Sequence, residues 1–322
     1  LEKAFDRFID VSAMSDQDIA LLSRRMEIDM AIDLNGYTAN SRAGIFAMRF
    51  APIQVNHLGY PGTLGTDFID YIIADQTVIP EECMSDFSEQ IVYLPNTYWF
   101  NDSTKEISDR KFSRAELDLP EDGFVFCCFN NSYKITPDVF DIWVRLLSSV
   151  EGSVLWLLEG NMVAAGNLRR EAEKRGVSAD RLVFAPRMAL PDHLARHRQA
   201  DLFLDTLYYN AHTTASDALW SGLPVLTCPG ETFASRVAAS MLNAVGLPDL
   251  IARSLAGYET LAMDLAKNPS KLAAIKTRLE KNRRTYPLFD TALFTRHIET
   301  AYSSMWVRYQ SGLPPQHIHV SA

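Results

Sequence analysis

Short runs of wholly apolar residues alternate along this 322-residue chain with longer stretches whose apolar residues return at helical spacing. That alternation constrains the fold more than any other feature. A strand that is apolar on both faces must be covered on both faces, and a parallel sheet between layers of helices does this. The runs fall at residues 29–33, 53–58, 71–74 and 91–94. After a polar stretch they resume at 124–129, 154–158, 182–184, 202–204 and 225–227. Helical spacing predicts helices over 137–149, 165–175, 191–198, 214–221 and 233–245. The polar stretch, residues 101–114 (NDSTKEISDRKFSR), reads as a linker between two α/β units. The expected division is a first unit over 1–112, a second over 113–285, and a carboxy-terminal helix and tail over 286–322. The second unit holds the fuller set of strands and the first looks short. Leu293, Phe294, Ile298, Tyr302 and Met305 mark one side of the last helix, and the closing GLPPQHIHVSA is expected to be mobile.

Hydrophobic residues make up 47% of the chain and charged residues 22%, as in an ordinary globular protein. A formal net charge of -9 excludes a general nucleic-acid binder, which needs a basic surface. It does not exclude a small anionic ligand, which a few local donors can hold. Cys83, Cys127, Cys128 and Cys228 show no zinc spacing, so no metal site is expected, and a reducing, cytoplasmic compartment is the simplest reading. No apolar stretch reaches the roughly 18–20 residues of a membrane span, so no membrane partner is expected. The opening LEKAFDRFID is neither a signal peptide nor preceded by an initiator Met, which suggests a fragment of a longer protein.

Four polar turns lie where strand passes to helix in the second unit, and its topology would put them on one edge of one sheet. FNNSYKITP (129–137) follows a strand and precedes a helix begun by Thr136-Pro137, placing Lys134 at the carboxyl end of the sheet, where ligands bind in doubly wound folds. It is either a phosphate-facing cation or a solvated lysine. In HTTASDALW (212–220) Thr213 or Thr214 is a natural N-cap, and the free amides of the first turn form an anion site. Plain capping in the pattern Thr-Thr-x-x-Asp explains Thr213, Thr214 and Asp217 equally well, but not His212. CPGET (228–232), followed by Arg236, is another such turn, with Arg236 bridging helix to loop. His193, at the start of a helix, is placed to stack on a nucleobase or simply to face solvent. In the first unit GYPGTLG (59–65) makes a tight loop, without the spacing of a dinucleotide fingerprint.

Taken together, LNGYT (34–38), LGYPGT (58–63), FNNSYKITP, HTTASDALW and PGETFASRVAAS (229–240) resemble the catalytic region of the O-GlcNAc transferase family, over nearly the whole chain, in what looks like a bacterial member. The resemblance implies an α/β fold of GT-B type: two Rossmann-like lobes with a donor cleft between them, the amino-terminal lobe incomplete here. It implies an inverting, metal-independent transfer of GlcNAc from UDP-GlcNAc, with no cofactor, to Ser or Thr hydroxyls of a protein acceptor. Lys134 then matches the catalytic lysine that neutralises the leaving diphosphate. Asn131, His212, Thr213 and Thr214 match contacts to the donor, Asp217 a ribose-binding carboxylate, His193 a histidine packed on uracil, and Met188 a backbone that reads its edge. Gly62, Thr63 and His57 fall on the acceptor or sugar side. Leu190 stands where the family has a lysine, the segment that holds a candidate base histidine is missing, and upstream tetratricopeptide repeats would belong to the full-length protein. Spindly-type relatives share the architecture and FNN-x-x-KITP but use GDP-fucose, so a protein O-fucosyltransferase is one alternative. A non-catalytic nucleotide- or protein-binding fragment is another, and a nucleotide-sugar epimerase a third.

Overall fold

The computed structural model describes residues 5–322. Its strands are β1 (Met30–Asp33), β2 (Ile53–Asn56), β3 (Tyr71–Ala74), β4 (Gln90–Tyr93), β5 (Val125–Cys128), β6 (Val154–Leu158), β7 (Leu182–Ala185), β8 (Leu202–Leu204), β9 (Val225–Leu226) and β10 (Ile318–His319). Its α-helices are α1 (Asp16–Arg25), α2 (Gly44–Ala47), α3 (Pro137–Ser149), α4 (Met162–Lys174), α5 (Leu190–Arg196), α6 (Thr213–Trp220), α7 (Val237–Ala244), α8 (Leu255–Lys267), α9 (Pro269–Asn282) and α10 (Thr291–Gln310). Every apolar run named above forms a strand. Among the described residues no helix is long and apolar enough to cross a membrane.

The chain divides into two compact units, residues 1–98 with 296–322, and residues 99–295. The boundary falls between Tyr98 and Trp99 rather than at 112, because residues 99–105 are bonded along α6 instead of spanning a gap. The last helix is likewise shared, its residues from Arg296 onward counting with the first unit.

The first unit is built on a five-stranded parallel sheet in the order β1-β2-β3-β4-β10. Its outer strand corrects the expectation of a mobile tail. Ile318 lies opposite Val92, Val320 N–H donates to the Tyr93 carbonyl at 2.9 Å, Ile91 N–H donates to His317 Nδ1 at 2.9 Å, and His319 stacks on Tyr93. The motifs LNGYT and LGYPGT interlock here. A Cβ on Gly59 would meet the Leu34 carbonyl oxygen at 2.0 Å, and Gly36, at φ +54°, lies against Tyr60. Asp33 fixes the first loop by accepting from the Asn35 and Gly36 amides, both at 2.9 Å.

The second unit carries a five-stranded parallel sheet in the order β7-β6-β5-β8-β9. β5 is central, with Cys127 opposite Trp156 on one side and Phe203 on the other. Helices supply the cover that these two-sided apolar strands need. α3, with Pro137 in its first turn, buries Val139, Phe140, Trp143, Leu146 and Leu147, while Phe129, Trp156, Phe203 and Tyr258 are fully enclosed. Each such side chain contributes roughly 1.5–3 kcal/mol of burial. The free thiols of Cys127 and Cys128 sit in this core as small apolar groups. α4 begins at Met162, three residues before the apolar pattern, because Asn161 caps it by accepting from the amides of Val163 and Ala164.

Candidate active site

Strand order fixes where a ligand meets the second unit. From β5 the chain moves outward through β6 to β7, then returns past β5 to β8 and β9. The two halves therefore part between β5 and β8, and the loops leaving the carboxyl ends of these strands flank a topological switch point, the usual ligand crevice of such sheets. The β5 loop carries Lys134, on a single 3-10 turn (Ser132–Lys134). The β8 loop leads into α6 through His212.

These two loops are welded together by polar side chains. Lys134 Nζ donates to the Asn210 carbonyl at 2.8 Å and lies 4.1 Å from the centroid of the Tyr209 ring. Asn130 Nδ2 donates to Thr206 Oγ1 at 2.7 Å, and Asn130 Oδ1 accepts from Thr214 Oγ1. At the centre is Asp205, wholly buried. Its Oδ1 accepts from the amides of Thr206 (2.8 Å) and Ala211 (2.5 Å), its Oδ2 from Thr227 Oγ1 (2.7 Å). Burial pushes the Asp205 carboxyl up to about 7, against those donors and the Lys134 charge. Burial also brings Lys134 down to about 8, with Asp205 acting in the opposite direction. The result is a partly desolvated ammonium held between the β5 and β8 loops, still charged at neutral pH.

The start of α6 does not follow the capping pattern. His212 occupies the N-cap position without a side-chain cap, Thr214 is turned to Asn130, and Asp217 to Lys105. Within the helix the first amides to find an acceptor are those of Ala215 and Ser216, both on the His212 carbonyl at 3.1 Å. The amides of Thr213 and Thr214 thus remain as donors at the positive end of the helix, and plain capping does not account for this motif. His212 donates from Nε2 to the Ala234 carbonyl at 3.2 Å and stacks on Tyr209. Burial and Lys134 take its pKa down to about 3, so it is neutral.

The other expected residues are placed as follows. Asp217 is buried and pairs through Oδ1 with Lys105 Nζ at 2.8 Å. His193 packs against Phe129, at 5.2 Å between ring centroids, and its Nδ1 lies 2.6 Å from Arg196 Nη2. A guanidinium only donates, so Nδ1 accepts and Nε2 carries the proton. Burial, then Arg196, lowers this imidazole to about 4. Met188 is half-buried just before α5, and Leu190 is exposed. Asn131 is exposed, with one long contact of 3.5 Å to the Tyr133 hydroxyl. Arg236 bridges helix to loop as expected, donating to the Gly230 carbonyl at 2.9 Å.

In the first unit His57 is buried, its Nε2 3.2 Å from the Tyr98 carbonyl, and burial lowers it to about 4. Thr63 donates to Glu89 Oε2 at 2.6 Å, and Gly62 accepts from Asn56 Nδ2 at 3.1 Å. Sequence reasoning missed Asp205, Asn130 and Lys105. An aspartate closing the apolar run Leu202-Phe203-Leu204 was a usable cue for the first, and adjacency to Asn131 for the second. Nothing local marks Lys105.

The family profile that matches is Glycosyl transferase family 41, over residues 1–112 and 110–298. The chain is 40% identical to a protein of Arabidopsis thaliana named probable UDP-N-acetylglucosamine–peptide N-acetylglucosaminyltransferase SEC, over 99% of this chain and 33% of that protein. To the SPINDLY protein of Solanum lycopersicum, which bears the same enzyme name, it is 34% identical over 95% of this chain and 33% of that protein. The chain thus spans about a third of the length of these relatives. Among solved structures it resembles a mutant of the Thermobaculum terrenum O-GlcNAc transferase, with a TM-score of 0.86 and 32% identity, covering 95% of this chain and 58% of that one. The paired parallel-sheet units have the GT-B fold, and the chain belongs to glycosyl transferase family 41, as part of a catalytic region of the O-GlcNAc transferase kind.

Proposed function

We propose that this chain transfers GlcNAc from UDP-GlcNAc to Ser or Thr hydroxyls of a protein, with inversion and without a metal or other cofactor. The observation that carries the reading is the placement of the Lys134 ammonium and the open amides of α6 on the two loops that flank one switch point. The acceptor oxygen bonds to the anomeric carbon, the bond from that carbon to the diphosphate breaks, and UDP departs with the electron pair. Lys134 offsets the charge that develops on the leaving oxygen, a role filled elsewhere by a divalent cation. The amides and hydroxyls of Thr213 and Thr214 hold the diphosphate, with Asn131 and His212 beside it. Asp217 takes the ribose, His193 stacks on uracil, and the backbone at Met188 reads the base edge. Gly62, Thr63 and His57 belong to the acceptor or sugar side, and no general base is assigned. Tetratricopeptide repeats upstream in the full-length protein would select the acceptor. Free thiols at Cys83, Cys127, Cys128 and Cys228 fit a reducing cytoplasm.

Calorimetric titration with UDP, UDP-GlcNAc and GDP-fucose tests the donor, with uridine ligands expected to bind in the micromolar range. Preference for GDP-fucose would replace this donor assignment with fucose transfer. Uridine binding without radiolabelled transfer to lysate proteins would leave a binding module, and an epimerised product from donor alone would reveal an epimerase.

A further inference from the structure

The polar segment that the sequence presents as a linker runs along one face of α6. Trp99 meets His212 edge-on, with ring centroids 6.2 Å apart. Asn101 Oδ1 accepts from Ser216 Oγ, while its Nδ2 donates to the Leu288 carbonyl at 2.9 Å. Lys105 is held twice: its carbonyl accepts from Trp220 Nε1 at 2.9 Å, and its Nζ donates to Asp217 Oδ1 at 2.8 Å. His212, Ser216 and Trp220 recur every fourth residue, so the strap follows a single helical row from the anion-binding end of α6 to its last turn.

The pair at Lys105 is unlike the surface ion pairs of this protein. The Asp217 side chain is only 7% exposed and that of Lys105 21%. A carboxylate so enclosed needs a cation or several donors to stay ionised. Lys105 supplies the cation through one oxygen. Among the described residues the other oxygen, Oδ2, takes no hydrogen bond. A carboxylate anchored by one oxygen is an oriented, purely accepting group, suited to hydroxyls and unsuited to phosphate.

We propose that Lys105 is a positioning residue of the donor site. Its ammonium fixes Asp217 in one orientation, with Oδ2 left to accept from the hydroxyls of the donor's pentose. Residues 99–105 are then part of nucleoside recognition. This rests on the assignment of Asp217 to the ribose.

Calorimetry with UDP and with 2′,3′-dideoxy-UDP on wild type, Lys105→Met and Lys105→Arg tests it. Wild type should prefer UDP by tenfold or more. Lys105→Met should weaken UDP by about tenfold, the scale of one hydrogen bond to a charged group, while dideoxy-UDP binds both proteins alike. Lys105→Arg should restore most of the preference, and Asp217→Asn should lose it as Lys105→Met does. Equal weakening of both ligands in Lys105→Met would mean that the strap only supports the fold, and unchanged UDP binding would equally overturn the proposal. Failure of wild type to bind UDP would instead remove the donor reading on which it stands.

Discussion

Raising the pH through about 8 should switch off Lys134. Burial brings this ammonium from 10.5 to about 8 in the free protein, although Asp205 pulls the other way. Of its neighbours only Asp205 titrates nearby, about one unit lower, so the alkaline side of pH 8 belongs to Lys134. His212, held near 3, is already neutral, Cys128, pushed up to about 12, is still protonated, and Asp205, near 7, is largely ionised by pH 8. The role proposed for Lys134 needs the cation, so the sign follows: activity should fall as pH rises through about 8. Half of the free enzyme keeps the charge at about pH 8, and each further unit removes roughly tenfold from kcat/KM. A bound diphosphate favours the protonated amine, so the fall in kcat should sit at higher pH than the fall in kcat/KM. The assay is the initial rate of radiolabelled GlcNAc transfer to lysate proteins, at donor concentrations below and above saturation, from pH 6.5 to 9.5. Lys134→Arg should lose the alkaline fall, because a guanidinium keeps its proton throughout. Lys134→Met should lower kcat by about 10²–10³-fold, as removal of one preorganised stabiliser does, with UDP affinity reduced less. The reasoning is refuted if Lys134→Met transfers sugar at the wild-type rate, or if Lys134→Arg retains a fall near pH 8.

Two further substitutions test how the loops are held. Tyr258 accepts from Trp143 Nε1 at 3.2 Å and donates to the Asp205 carbonyl at 2.9 Å, all within the core. Tyr258→Phe strands both partners and should cost about 1–3 kcal/mol, lowering Tm by roughly 2–4 °C per kcal/mol in calorimetry; an unchanged Tm would show that the link contributes nothing. Gly59→Ala would set a methyl 2.0 Å from the Leu34 carbonyl oxygen, a backbone atom that cannot rotate away. It should destabilise the first unit by about 1–3 kcal/mol or more, read as new proteolytic sites within residues 5–98, and wild-type resistance there would refute the interlock.

Much of this architecture is legible in local sequence because its determinants are local. Each apolar run is long enough to require cover on both faces, and each of β5, β7, β8 and β9 ends in a polar turn, so both the sheets and the edge bearing Lys134 and His212 follow. What escapes is whatever depends on partners far along the chain. Ile318–His319 is too short for any periodicity, and becomes a strand only because β4 offers it amides and carbonyls. Lys105 looks like a linker residue because its partners, Asp217 and Trp220, lie more than a hundred positions away. α1, α2, α8 and α9 lie outside the helices that local spacing predicts. At Thr213 and Thr214 the local rule misleads. The Thr214 side chain, which could cap an isolated helix, is drawn off by Asn130, and the amides of Thr213 and Thr214 stay open.

The outer strand of the first sheet also imposes an order on biosynthesis. Ile91 and His317, joined by a hydrogen bond, stand 226 positions apart, whereas residues 99–295 form their unit from one continuous stretch. On the ribosome the later-encoded sheet can therefore close first. Until residues 318–320 emerge, the nascent first sheet exposes the free edge of β4, where strands of other nascent chains can add. Loss of residues 318–320 would leave that edge uncovered for good, and the penalty would fall on the yield of folded protein during synthesis.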